Sequence, residues 1–553
     1  MGRGVWEADV IPLEQETLIT EHQTWNQTRV LGNSIRVQSG VRLRIKAEVQ
    51  IPEDKYIYVE KGATLIIDGG HLHNVCGKEW AGIFVEGDSD LPQGGMYNSA
   101  QGQVLMLNNA IIEGAYRGVK LIGYTPQGGI EWGTAGGLIQ ARNSTFKNCR
   151  KAVEFYSYHN TTTSGEFSNN KSRFVNCTFT ADQGYAELFN ESPLPHLTMV
   201  GLWDVEGVQF SGCTFEMPRN SENGINNDRA IASSNASFSV KPYVNSSGTL
   251  LQKSEFSGFD IAIDADNYCS LKSVEVRDAL FNDNNRAITL SNVLAPVVVN
   301  NEINIGAGKG NGGIFLYETE QYTVEENKIN GTGQNVIYTS LDGKIIKECG
   351  IYVRNTNSQN YNELYRNDVQ NTYFGMYLRG LNHAENPNIG LEFLCNDFGL
   401  AVEAETPAQA NHWDVYINGK VAKKQGRFPG TADQSTPLNQ LPAGNRFDQP
   451  QATNGEGNID VASQNGFFIQ SYLMHPQEET NPEDVSPLEV FKQALQEDYV
   501  TRNSACPSHA YSSEDPNPNN PSQWTSYPVP TKLALIETKT KSMKTLRSCT
   551  SLL

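Results

Sequence analysis

An all-β fold is predicted for this 553-residue chain: a single-stranded right-handed parallel β-helix with a short helical and disordered C-terminal segment. Three observations predict it. Ile35-x-Val37-x-x-Gly40-Val41-x-Leu43-x-Ile45 returns 22 residues later as Ile57-x-Val59-x-x-Gly62-Ala63-x-Leu65-x-Ile67, two short alternating strands bent at a glycine. Strand repeats at such a period bury their apolar side only by stacking on neighbouring copies. A second phrase sets an apolar anchor six residues before a small residue and a strand: Ile112 before Gly118-Val119, Phe146 before Ala152-Val153, Phe256 before Ala262-Ile263, Phe281 before Ala287-Ile288 and Val369 before Gly375-Met376. Third, Asn301, Asn327, Asn367, Asn396 and Asn445 each stand two residues before an anchor. Stacked about 4.8 Å apart, these amides either bond one another in a ladder or each serve their own turn. Right-handedness follows from the rule for parallel crossovers.

Taken in order, residues 1–30 read as an N-terminal cap and 31–470 as the β-helix, with Trp80–Val85 a further rung and about a dozen or more rungs in all. Insertions are expected at 86–103, 122–136, 157–170, 217–247 and 403–440, the fourth as an exposed Asn/Ser-rich loop. Residues 471–553 form the C-terminal segment. Ser486-Pro487-Leu488-Glu489 is a helix start, and Leu488, Phe491 and Leu495 give an apolar stripe to about Val500. Asp515–Pro530 is a proline-rich linker and Lys532–Leu553 a basic tail.

The formal charge of −19 argues against a general nucleic-acid binder, which needs basic patches for phosphates. No apolar run is long enough to span a bilayer. The first 20 residues hold no secretory leader core, although the composition suits an extracellular protein. The 9 cysteines are dispersed without a C-x-x-C pair, so zinc and a disulfide framework are not expected and buried thiols are. Cys149, Cys177 and Cys213 each follow a Phe by three residues, which puts stacked copies within disulfide reach.

Val59-Glu60-Lys61-Gly62-Ala63-Thr64-Leu65-Ile66-Ile67-Asp68-Gly69-Gly70, followed by Trp80-Ala81-Gly82-Ile83-Phe84-Val85, resembles the opening rungs of large cell-surface right-handed β-helix repeat proteins of Bacteroidetes-type bacteria. The resemblance covers roughly residues 30–470. It implies surface display, adhesion or carbohydrate contact, with export by type IX secretion, although no leader or terminal sorting domain is visible in this chain.

The fold also houses pectin-degrading enzymes, whose Asn-Thr-Asp, Asp-Asp and Gly-His-Gly signatures are absent; Arg44-Ile45-Lys46 matches a fourth only as alternation in a regular rung. His71 and His73 share a face but lack a third metal ligand. The second residue after each small strand residue defines an outward stripe: Lys120, Glu154, Asp264, Thr289, Phe315, Tyr352 and Tyr377. Two readings of it follow. Phe315, Tyr352 and Tyr377 are an exposed aromatic row suited to stacking on sugar rings. Glu154, Asp264 and Asp266, with Arg286, are the carboxylates and base that a lyase or hydrolase of an acidic polysaccharide would use. No cofactor is called for by a motif; calcium is the ion this stripe suits. The leading expectation is a non-catalytic extracellular or cell-surface protein presenting an extended face for adhesion or glycan binding. The enzyme is the alternative and a purely structural stalk the second. The partner expected is a polysaccharide or cell-surface glycan, with no nucleic acid.

Overall fold

The structure, a computed structural model, describes residues 16–447 with internal breaks, the longer ones at 95–99, 190–196, 218–227, 340–344, 357–361, 399–410 and 427–442. Beyond these it describes 459–463, 469, 471–472, 485–486 and Cys506. The chain winds as a right-handed parallel β-helix whose three long sheets hold, among the described residues, 16, 13 and 12 strands, each strand bonded to its equivalent one turn later. The 22-residue repeat sets the register directly: Ile35 pairs with Ile57 and Val37 with Val59 in the first sheet, Leu43 with Leu65 and Ile45 with Ile67 in the second. Gly40 and Gly62 turn between them at φ 78° and 79°, a conformation that disfavours a side chain.

Two boundaries differ from the sequence reading. Residues 17–30, assigned to a cap, form a complete first rung: Thr17–Ile19, Gln23–Trp25 and Arg29–Val30 pair with Ile35–Val37, Arg42–Ile45 and Glu48–Ile51. Their polar and short strands hide the period. The expected insertions 217–247 and 403–440 also contain regular strands, Arg229–Ser234, Ser237–Lys241 and Trp413–Lys420, paired parallel with neighbouring rungs, the second across a register shift between Glu206 and Val208. Ser and Asn on their outward faces mask the inward Ala230, Ile231, Phe238 and Val240, all buried. The helix expected after Ser486 lies outside the described residues.

The core is a set of side-chain columns. Phe146, Phe179, Phe215, Phe256 and Phe281 stack in the third sheet with centroids 4.9, 4.5, 4.8 and 4.9 Å apart and planes within 9°. Offset stacking adds to the burial of each ring. The six-residue phrase has a steric cause. A Cβ on Gly350 would come within 2.2 Å of Val369 Cγ1, and one on Gly375 within 2.9 Å of Phe398 Cδ1. The anchor of the next rung occupies the space that the small residue leaves.

The asparagines bond one another. Nδ2 of Asn301 donates to Oδ1 of Asn327 (2.9 Å), Asn327 to Asn367 (2.9 Å), Asn367 to Asn396 (3.1 Å) and Asn396 to Asn445 (3.0 Å). Each Nδ2 also donates to a backbone carbonyl of the preceding rung, such as Asn367 to Val324. The residues just before four of them, Asn300, Glu326, Arg366 and Cys395, take φ of 53–59°, which turns the amide inward. Cys149, Cys177, Cys213 and Cys349 are buried free thiols. Among the described residues one disulfide forms, Cys395–Cys506, tying the residue before Asn396 of the ladder to a point 111 residues on.

Truncating Asn367 strips Asn327 and Asn396 of buried partners, each worth about 1–3 kcal/mol when left unmade. Asn367→Ala should therefore cost roughly 2–4 kcal/mol in denaturant unfolding, against less than about 1 kcal/mol for Asn304→Ala, whose amide makes a single half-buried bond to Asn282. Equal costs would mean that the ladder adds nothing beyond ordinary turns.

Candidate functional site

The outer face of the first sheet carries the stripe in register. Lys120, Glu154, Gly201, Ala232, Asp264, Thr289, Phe315, Tyr352, Tyr377 and Tyr416 are successive partners along one row. Its composition divides it into a charged stretch, a gap of small residues, a second charged stretch and an aromatic end.

At the aromatic end the rings are not open to a sugar. Phe315 is 1% exposed, Tyr352 0% and Tyr377 8%. They form a second apolar cluster outside the sheet with Phe374 and Tyr416, flanked by Tyr317, Tyr373 and Trp413. The rings pack closely, Tyr352 edge to face on Tyr377 at 5.3 Å and Phe374 stacked on Tyr416 at 4.9 Å. Arg286 lies over Phe315 at 4.7 Å, and Arg379 donates to the Tyr352 hydroxyl at 3.3 Å. Neighbouring rows are aromatic too, so the rings cover each other. Alternation along one strand identifies the outward direction but cannot reveal lateral cover.

The carboxylates are not brought together. Gly201 and Ala232 intervene between Glu154 and Asp264, so the two are three rungs, about 14 Å, apart. Each has its own cations. Glu154 accepts from Arg117 (2.8 Å) and Lys151 (2.6 Å), and Asp264 from Arg229 (2.6 Å). Asp266, exposed, accepts from Asn292 at 3.1 Å. Arg286 serves the Phe315 ring. Burial alone would raise the pKa of Glu154, but Lys151, Arg117 and Lys120 outweigh it and hold it at about 2. Lys120 itself is buried; its ammonium bonds the Tyr124 hydroxyl and lies 5.2 Å from the Tyr156 ring. Among the described residues no group of three or more His, Cys, Asp or Glu side chains is placed to hold a metal ion.

The gap between the charged stretches is the open part of the face. A Cβ on Gly201 would meet only Glu154 Cγ, at 3.9 Å. Beside it stand Tyr156 and Trp203, edge to face at 6.2 Å, and over them Trp132, 55% exposed, at 5.5 Å from Trp203. Trp132 comes from a short helical turn, Trp132–Thr134, that follows the antiparallel pair Gly123–Tyr124 and Ile130–Glu131. Sequence reasoning missed this group because Trp132 lies in an insertion with no rung period. Its one signal is rarity: only 7 tryptophans occur in the chain.

Where the first sheet turns toward the second, beyond Trp203, Asp204 gathers Ser157 (2.6 Å), Lys272 (2.7 Å) and His159 (3.2 Å), and Glu206 lies 3.6 Å from His159. Hydrogen bonds to Asp204 and then Glu206 raise the His159 pKa from 6.5 to about 9.

Neither a protein family nor a curated protein matches the chain. Among solved structures it is similar to a complex of alginate lyase AlyF-OU02 with G6, at 11% identity over 86% of this chain and 83% of that one, TM-score 0.30. It is also similar to a PL6 alginate lyase in complex with a trisaccharide, at 10% over 72% and 81%, TM-score 0.29. A third is the Dettilon tailspike protein, at 11% over 73% and 61%, TM-score 0.25. The fold assignment stands on the strand registers above.

The two ionic groups respond oppositely to pH. The folded pKa of His159 is raised, so its contribution is complete below about pH 6.5 and disappears as pH rises through about 9. That of Glu154 is lowered, so its contribution is complete above about 4.5 and disappears toward about 2. The melting temperature of His159→Gln should lie below wild type at pH 6 and converge with it by pH 10, as scanning calorimetry can follow. A gap that persists at pH 10 would remove the ion pair as its cause.

Proposed function

We propose that the chain is a non-catalytic extracellular or cell-surface β-helix protein that binds a glycan across the outer face of its first sheet. One observation carries the reading: a floor of small residues, Gly201 and Ala232, open above and walled by Trp203 and the exposed Trp132. An indole face takes the apolar face of a sugar ring, and the ionic side chains at either end of the gap, Glu154 with Lys151 and Asp264 with Arg229, offer donors and acceptors to its hydroxyls. The gap spans two rungs, about 10 Å, the length of a disaccharide, and the uninterrupted sheet allows the chain to run on along it.

The binding reading is favoured over the lyase or hydrolase by charge and distance. A glycosidase pair works at about 5–10 Å, with one carboxyl kept protonated; here the two carboxylates are farther apart, and cations hold Glu154 ionised. Display outside the cell is supported by the Cys395–Cys506 disulfide, since such bonds persist in oxidising compartments. Export by the type IX route belongs to the same proposal and rests on the resemblance of the opening rungs.

Glycan arrays and polysaccharide pull-downs of the purified chain, with and without calcium, test the reading while unsaturated-sugar absorbance and reducing ends are followed. Binding without product is expected, weakened about tenfold or more in Trp132→Ala and Trp203→Ala, as for loss of a stacking aromatic. Tyr352→Ala and Tyr377→Ala should instead lower stability by about 3–5 kcal/mol, through loss of buried rings. Product formation would overturn the non-catalytic reading, and absence of binding would leave a structural stalk.

A further inference from the structure

Several arginines of this acidic chain are matched by carboxylates: Arg44 with Asp68, Arg117 with Glu154, Arg229 with Asp264, Arg277 with Glu275, Arg366 with Glu326. Two on the outer face of the second sheet are not. The side chain of Arg173 makes no hydrogen bond or ion pair among the described residues, and that of Arg142 donates only to the Tyr243 hydroxyl, at 2.6 Å. They are diagonal neighbours. Arg173 is paired with Gln140, and Arg142 lies two residues farther along that strand, so their backbones are about 8 Å apart on one face.

Both line the same cleft, of about 400 Å³. Leu105, Leu107 and Val175 make its apolar wall, and Tyr243 its roof. The roof is a hairpin, Tyr243–Val244 against Leu250–Gln252, that folds back onto the sheet. It is held close at Gly212, where a Cβ would come within 2.5 Å of Tyr243 Cβ. The ring is further fixed by Arg142, whose guanidinium lies 5.7 Å from its centroid. Hairpin, tyrosine and glycine together roof a half-open space above two cations in a protein of net charge −19.

We propose that this cleft binds a carboxylate carried on a ring of one- or two-ring size, the anion between Arg142 and Arg173 and the apolar face of the ring between Leu107, Val175 and Tyr243. The volume falls in the range of small-molecule sites. Two guanidiniums without a carboxylate match the planar, bidentate anion that arginine recognises best. A bare inorganic ion would leave the apolar wall and the tyrosine unused, and a neutral ring would leave the cations unused. The site is on a different sheet from Trp203, over which Trp132 lies, and does not rest on the glycan reading.

Titration calorimetry of the full chain with sodium glucuronate and sodium benzoate, beside the neutral glucose and benzyl alcohol, tests it. At least one carboxylate should bind at least about tenfold more tightly than its neutral counterpart, and weaken as salt is raised. Preference for glucuronate would identify a sugar acid and preference for benzoate an aromatic acid. Arg173→Gln, at an exposed position, should leave the melting temperature unchanged and weaken the carboxylate about tenfold; Arg142→Gln should do the same. Trp132→Ala should leave it unaffected. Equal binding of charged and neutral ligands, no binding of either carboxylate, or full affinity in Arg173→Gln would each overturn the proposal.

Discussion

Everything in this molecule depends on a single spacing. Because each strand bonds its equivalent one turn later, every side chain has a counterpart about 4.8 Å above and below it. A column therefore repeats a favourable contact or a defect many times. Inside, the solution is like on like: phenylalanine on phenylalanine with planes nearly parallel, and asparagine on asparagine with each amide both donor and acceptor. Like charges do meet in outer columns, Arg117 beside Lys151 and Arg354 beside Arg379, and the first pair is offset by Glu154, which accepts from both cations.

The same spacing explains why the outer face of the first sheet is uneven. Aromatic side chains placed in adjacent rows become mutual cover, and the result around Tyr352 is a second core outside the sheet, against the first core only through the backbone. Small residues leave a gap one or two rungs wide that only an inserted segment can wall. Trp132 arrives by that route, on a turn inserted after Lys120 and Leu121. The working surface of a β-helix is thus set less by its rungs than by what its insertions lay across them.

How much could be read from the sequence follows the same division. The register of the first rungs was legible because Ile35, Val37, Leu43 and Ile45 return unchanged in type, and the asparagine column because a fixed offset from its anchors survives irregular loops. The outward row from Lys120 to Tyr377 was legible from alternation alone. Its exposure was not, since cover by Phe374 or Trp413 depends on rows that no single strand reports. The separation of Glu154 from Asp264 was hidden because the rungs carrying Gly201 and Ala232 lack the anchor phrase that marks the others. Arg142 and Arg173 were invisible for another reason: only coordinates show which arginines lack a carboxylate.

The Cys395–Cys506 bond has a mechanical meaning. A pull on the chain beyond residue 506 reaches residue 395 through sulfur, so the chain between the two cysteines carries no tension. Force enters the solenoid where Asn396 is already bonded to Asn367 and Asn445, at a rung supported from both sides. A solenoid ordinarily peels from its last, least-supported turn. Here that turn is slack, and unravelling under load has to begin in the interior of the stack.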